Sequence, residues 1–276
     1  MFNFGSMKKC VFSLGLVLPL IACMDAGPSQ NEGLFRKLIW SDEFELAGSP
    51  DALKWTYDLG DGCPDVCGRG NNELEYYTND SKNVRVENGR LIVEAHREQK
   101  GGKDYTSTRI VSRNKGDWLS GRREIMAKLP RGRGTWPAIW MLPTDWKYGG
   151  WPASGEIDIM EHVGFDQGVI HGTIHTDRYN TSKGTQKEGR ITITDASETF
   201  HLYAIEWSTE KIDFYVDDKK YHTVTKSNED YKGWPFDQRF HLILNIAVGG
   251  NWGGQKGVDE SIWPQRMEVD YVRVYQ

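Results

Sequence analysis

An all-β sandwich is the fold class this sequence predicts, and three observations carry it. Beyond residue 37 the chain runs in short alternating apolar and polar segments broken by Gly, Asn and Asp. No segment of normal length repeats with a helical period outside the N-terminal apolar run. No long linker, repeat or low-complexity tract divides it, so residues 37–276 are read as one large β domain with a substantial core. Curved sandwiches of this kind offer a concave sheet face as a binding cleft.

The elements follow in chain order. Asn83–Val86 and Arg90–Ala95 flank Asn88-Gly89, a pair suited to a tight hairpin. Arg123–Lys128 alternates, and in GTWPAIWMLP the even spacing of Trp136 and Trp140 puts both indoles on one strand face. Val169–His175 is a strand because Thr173 and Ile174 are β-branched and Gly172 opposes a helix. His171 and His175 therefore serve hydrogen bonding rather than a helical zinc pair. Ile191–Thr194 and Tyr203–Trp207 come next, then Ile212–Val216 and Tyr221–Thr225 around the turn Asp217-Asp218. His241–Ala247 and Met267–Tyr275 complete the pattern.

Residues 1–23 read as a targeting segment. Lys8 and Lys9 precede an apolar run, Val11 to Ala22, that is short for a bilayer span, and Met7 is a candidate start. Leu20-Ile21-Ala22-Cys23 resembles the lipobox of bacterial lipoproteins, in which the Cys is acylated; an ordinary signal peptide is the alternative. Residues 24–36, rich in turn formers, form a short tether. The expected location is therefore that of an exported bacterial lipoprotein, at the outer membrane, cell surface or periplasm. In an oxidising compartment Cys63 and Cys67 fit a small loop disulfide better than a zinc site, with two free thiols as the alternative.

Thirty-four basic against thirty-nine acidic residues give −5, which does not suggest a nucleic-acid partner. Eleven Trp and twelve Tyr with abundant Gly suit a carbohydrate groove, because sugar rings present apolar faces to indole. The chemistry concentrates in residues 155–164, GEIDIMEHVG. On a strand Glu156 and Asp158 share one face, while Ile157 and Ile159 take the other. Glu161 lies at an odd offset from Glu156. One bulged residue, most simply Met160, returns it to the acidic face. Three acids on one face repel one another and cost stability. A carboxylate pair flanking a glycosidic bond uses such an arrangement; a hard cation or a merely solvated face are the other readings. Calcium loops mix Asp, Asn and a Gly turn, which this run lacks.

Taken with LIWSDEF, GNNELEYYT, GTWPAIWMLP, HGTIHT, NIAVGGNWGG and EVDYVRVYQ, the acidic run resembles glycoside hydrolase family 16, in its laminarinase type of endo-β-1,3-glucanase. The resemblance spans Leu38 to Gln276, and the Glu-x-Asp-x-x-Glu spacing is the bulged form found in laminarinases. It implies a concanavalin-like jelly roll, a concave substrate cleft and retention of configuration. It makes Glu156 the nucleophile and Glu161 the general acid/base, with Asp158 tuning both. It implies sugar contacts from Asn71, Arg109, Trp136, Trp140, Trp151, His175, Asn245 and Trp252. No catalytic cofactor is implied. A structural calcium is, held by backbone oxygens and an Asp at positions matching Glu43, Gly89 and Asp270. The chain departs from the pattern at Arg69, where many laminarinases carry Trp, which puts one stacking surface in doubt. The expected partners are a β-glucan and, through Cys23, a membrane; the chain is expected to be monomeric. Mixed-linkage glucan, agar-type or carrageenan-type galactans, and a silent carbohydrate-binding module are the alternatives.

Overall fold

The structure, a computed structural model, describes residues 35–276. The targeting segment and the tether as far as residue 34 lie outside the described residues.

Two sheets pack face to face. The front sheet runs, from one edge, Lys187–Thr192, Val169–His175, Glu156–Glu161, Thr135–Pro143, Phe240–Val248, Arg109–Val111 and Thr56–Tyr57, with Asp117–Trp118 also on Phe240–Val248. The back sheet runs Lys219–Thr225, Lys211–Val216, His201–Trp207, Gly121–Lys128, Gln265–Tyr275, Arg90–Lys100, Lys103–Ser107 and Glu75–Tyr77. Leu38–Asp42 and Val84–Glu87 join its central strands. Pairing is antiparallel except between Glu75–Tyr77 and Lys103–Ser107. Among the described residues the single α-helical element is the one turn Gly250–Gly253. This is the jelly-roll sandwich the sequence predicts.

Alternation decides which side chains build the core. Along Thr135–Pro143, Ile139 and Met141 are buried between the sheets, while Trp136 and Trp140 stay partly exposed on the outer face. Along Phe240–Val248, Leu242, Leu244, Ile246 and Val248 enter the core and Asn245 faces outward with Trp140. Each large aliphatic side chain buried in this way contributes about 1.5–3 kcal/mol.

Every strand predicted from alternation overlaps an observed one. The least accurate is Ile191–Thr194, which begins earlier, at Lys187. Its first half, Lys187-Glu188-Gly189-Arg190, is an edge with charges on it, and edge charges hide the apolar alternation. Leu38–Asp42, Thr56–Tyr57, Glu75–Tyr77, Lys103–Ser107, Arg109–Val111 and Asp117–Trp118 are too short for a period to show.

Candidate active site

The acidic strand Glu156–Glu161 is paired on both sides, so its side chains are fixed by two neighbours. Against Val169–His175, Glu156 faces His175, Asp158 faces Thr173 and Glu161 faces His171. Against Thr135–Pro143, Asp158 faces Trp140, Met160 faces Ile139 and Glu161 faces Ala138. A bulge does restore Glu161 to the acidic face, but the residue without a partner on Thr135–Pro143 is Ile159, not Met160. Both enter the core, at 1% and 0% exposure. On the other flank both lie opposite Gly172, whose missing Cβ would fall 2.3 Å from the Tyr221 hydroxyl. Two apolar side chains thus anchor the acids from behind. Gly155, at φ +87, turns the chain into the strand against Pro235 and Phe236, where a side chain would clash.

His175 sits over one end of the triad. Its Nε2 is 3.2 Å from Asp158 Oδ2 and 3.8 Å from Glu156 Oε1. Glu161 occupies the other end, where its Oε1 accepts a hydrogen bond from Trp136 Nε1 at 3.0 Å. Burial, then the Asp158 charge, pushes Glu156 well above the usual carboxylate range. Burial and the Glu161 charge do the same to Asp158. Glu161 is raised by burial, against the pull of His175 and the Trp136 N–H. Proximity to His171 and Arg190 instead holds Glu188 down at about 2, although burial opposes them. Two carboxyls that cannot both ionise share one proton. Glu156 and Asp158 are the pair placed for this, each feeling the other's carboxyl.

Glu156, Asp158 and His175 also bring one ligand atom each within 4.8 Å of one another, which a cation could span. The bulged spacing that brings all three acids onto one face favours acid–base work over this reading.

The sugar-contact residues implied by the resemblance are brought together around this triad. Trp140 donates to Asn245 Oδ1 at 2.8 Å, and the Arg109 guanidinium lies 4.7 Å over the Trp140 ring. Arg109 is also held by Asp58 at 3.3 Å. Trp252 meets Trp136 edge-on at 5.6 Å and His171 at 4.8 Å. Trp151, 43% exposed, lies 6.1 Å from the His175 ring. Asn71 reaches the same rim through its carbonyl, which accepts from Asn251 N at 2.7 Å.

Three residues of this region are given no role by the sequence. Asp58 holds Arg109, Glu188 takes a 3.0 Å hydrogen bond from His171 Nδ1, and Tyr77 accepts from Asn245 Nδ2 at 3.0 Å. Asp58 and Glu188 carry only the signal of a charge on a strand or its end, which is common on surfaces.

Arg69 does not supply a stacking surface. Its Nη2 donates to the carbonyls of Asp58, Leu59 and Gly60 at 3.0, 2.9 and 3.1 Å, with the guanidinium 5.3 Å over Tyr77. It braces a loop in which Cys63 and Cys67 are joined by a disulfide.

The positions matched to calcium lie away from the cleft, on the back sheet and the turns beside it. Asp270 falls at a register shift in Gln265–Tyr275 and lies 3.8 Å from Arg90. Gly89 forms the turn between Val84–Glu87 and Arg90–Lys100. The Glu43 carboxylate is gripped by two Arg273 nitrogens at 3.0 and 2.8 Å.

Known proteins are similar to this chain in sequence and fold. The model of glycosyl hydrolases family 16 matches residues 71–273. A beta-glucanase of Rhodothermus marinus is 50% identical over 279 residues, covering 98% of this chain and 95% of that protein. A glucan endo-1,3-beta-glucosidase of Cryptopygus antarcticus is 40% identical, covering 86% of this chain and 90% of the relative. The X-ray structure of the laminarinase from Rhodothermus marinus superposes with a TM-score of 0.85 at 52% identity, covering 88% of this chain and 99% of that one. A sandwich with a bulged acid triad on its open face, matched over nearly the whole described chain, leaves one conclusion: this chain belongs to glycosyl hydrolases family 16.

Proposed function

We propose that the chain is a retaining endo-glucanase that cuts internal β-1,3 bonds of laminarin-like glucans, with Glu156 as nucleophile and Glu161 as general acid/base. The observation that carries this reading is the bulged triad: three acids on one face, with His175 at the Glu156 end and the Trp136 N–H on Glu161 at the other. In the first step a Glu156 carboxylate oxygen bonds to C1 as the C1–O glycosidic bond breaks, and the Glu161 proton passes to the leaving oxygen. In the second, Glu161 takes a proton from water, whose oxygen bonds to C1 as the Glu156 ester breaks. Asp158 accepts the proton shared with Glu156, freeing the nucleophile as sugar enters. Trp136, Trp140, Trp151 and Trp252 offer ring faces or edges for stacking, and Asn71, Arg109, His175 and Asn245 offer polar contacts.

The test is product analysis with two variants. Glu156→Gln and Glu161→Gln should each lower kcat by roughly three orders of magnitude or more while the fold survives. Azide should restore turnover to Glu156→Ala and yield the α-glycosyl azide. Laminarin should be cut faster than lichenan, and agarose and carrageenan left intact. Near-parental activity of either Gln variant, or faster cleavage of a galactan, rejects the reading.

The remaining features extend this reading. Calcium would be held by the Asp270 carboxylate with backbone oxygens of Glu43 and Gly89, since Arg273 already occupies the Glu43 side chain. It would brace the back sheet, and chelation should lower Tm while leaving kcat intact. Acylation at Cys23 would tether the monomeric enzyme to a membrane; Cys23→Ser should release it to the soluble fraction.

A further inference from the structure

One buried carboxyl beside the cleft floor takes no part in the chemistry above. Glu75 is 1% exposed. Its Oε2 accepts a hydrogen bond from Val248 N at 2.6 Å, and its Oε1 is buried without a hydrogen-bond partner. The neighbouring acid is Glu73, 7% exposed, which accepts from Asn71 Nδ2 at 3.3 Å and from the Tyr77 hydroxyl at 3.4 Å. From Tyr77 the chain of hydrogen bonds continues through Asn245 to Trp140. Glu73 also bridges Gly249 by its backbone. Residues 71–77 and 245–251 are joined along this seam, and both ends of it carry residues assigned to sugar.

A buried carboxylate with few N–H donors and a second acid beside it holds its charge poorly, because ionisation without compensating hydrogen bonds costs several kcal/mol. Glu75 is therefore held toward its neutral form. Burial first, and then the Glu73 charge, place Glu75 well above the usual carboxylate range. The groups around it are few. Its own segment brings Glu73 and Tyr77. The neighbouring strand brings Lys103, whose Nζ donates to the Glu73 carbonyl at 2.9 Å and lies 3.8 Å from Asp61. Arg69 and Arg109 lie toward the Tyr77 side, the first over its ring and the second held by Asp58. Phe240–Val248 brings Asn245 and the Val248 N–H. Among the described residues no cation forms an ion pair with Glu75.

We propose that Glu75 is a positioning residue for glucan binding: it ties Val248 and, as a neutral acid beside Glu73, holds the seam from Asn71 to Asn245 in register, and when it loses its proton the repulsion between two buried like charges opens that seam. The grip of the cleft on its substrate is thereby pH-dependent for a reason separate from the catalytic acids. The choice of substrate in the test rests on the glucanase reading above.

Glu75→Gln keeps an acceptor for Val248 and a neutral N–H donor in place of the acid's proton, but cannot ionise. Between about pH 5 and pH 9 the parental KM for laminarin should rise about fivefold or more, while Glu75→Gln holds within about twofold. The two enzymes should share one pH dependence of kcat, since the triad is untouched. Glu73→Gln removes the charge that helps Glu75 keep its proton, so its KM should begin to rise at lower pH. Thermal melting without substrate reads the same ionisation. A group raised in the folded state loses its stabilising contribution as pH climbs from its unfolded to its folded pKa. The Tm of Glu75→Gln should accordingly fall less steeply with pH than the parental Tm. Equal KM ratios in parent and Glu75→Gln, or an unmoved onset in Glu73→Gln, would overturn the proposal. Absence of product from laminarin would reject the glucanase reading alone. The melting series then decides on Glu75: a shallower slope in the variant supports it, and equal slopes reject it.

Discussion

Trp136→Phe isolates one hydrogen bond at the acid/base. The indole Nε1 donates to Glu161 Oε1 at 3.0 Å, a bond that favours the ionised carboxylate. A hydrogen bond to a charged group contributes about 1.5–3 kcal/mol net, and partial exposure of both residues puts this one at the lower end. One pKa unit corresponds to about 1.4 kcal/mol, so losing the bond should raise Glu161 by about one unit. The sign follows directly. With the donor gone Glu161 holds its proton to higher pH, so the acid needed for glycosylation persists further into the alkaline range. The alkaline limb of kcat/KM should move up by about one unit, while the acidic limb, which reports the Glu156–Asp158 pair, stays in place. Phe still meets Trp252 as a ring, so the KM change should be modest. The assay is release of reducing ends from dilute laminarin across the pH range. An aryl glucoside whose leaving group needs no proton serves as control and should show no shift. An alkaline limb that stays fixed or moves down refutes the reasoning.

Two further outcomes follow from the site. Glu156→Gln should be more stable than the parent at neutral pH by about 1–2 kcal/mol, because Glu156 is raised in the fold and loses stability as pH climbs above its unfolded value. The gain should vanish below about pH 4, where both states are protonated, and urea midpoints at the two pH values check it. Trp252→Ala, which removes a ring packed on Trp136 and His171, should raise KM for laminarin by the equivalent of about 1–3 kcal/mol with little loss of Tm; a large fall in Tm with unchanged KM would contradict it.

Much of the site was legible because it obeys a period. Glu156 and Asp158 differ by two residues and Trp136 and Trp140 by four, so the common face of each pair follows from strand geometry. The bulge was legible as a necessity, but not its position. Which of Ile159 and Met160 loses its partner depends on how Thr135–Pro143 and Gly172 receive them, and neither effect is local. Asp58 and Tyr77 escaped detection for the same reason. Tyr77 meets Asn245 across a sequence separation of 168 residues, and nothing near either one announces the other. Arg69 shows the converse: its departure from the family pattern was visible, but its use as a brace for three carbonyls needed the loop in three dimensions.

The double pairing of Glu156–Glu161 has a consequence for how such an enzyme can change. Strands on both flanks, and Ile157, Ile159 and Met160 locked in the core behind, leave the acids no independent freedom of movement. Trp151 and Trp252, by contrast, stand on segments outside the ladder, before the acidic strand and after Phe240–Val248. On the proposed assignment of these residues, selectivity and reactivity are mounted on separate parts of the molecule. The rims can be rebuilt to accept a differently bent or substituted polysaccharide while the distance between nucleophile and proton donor stays as the sheet set it.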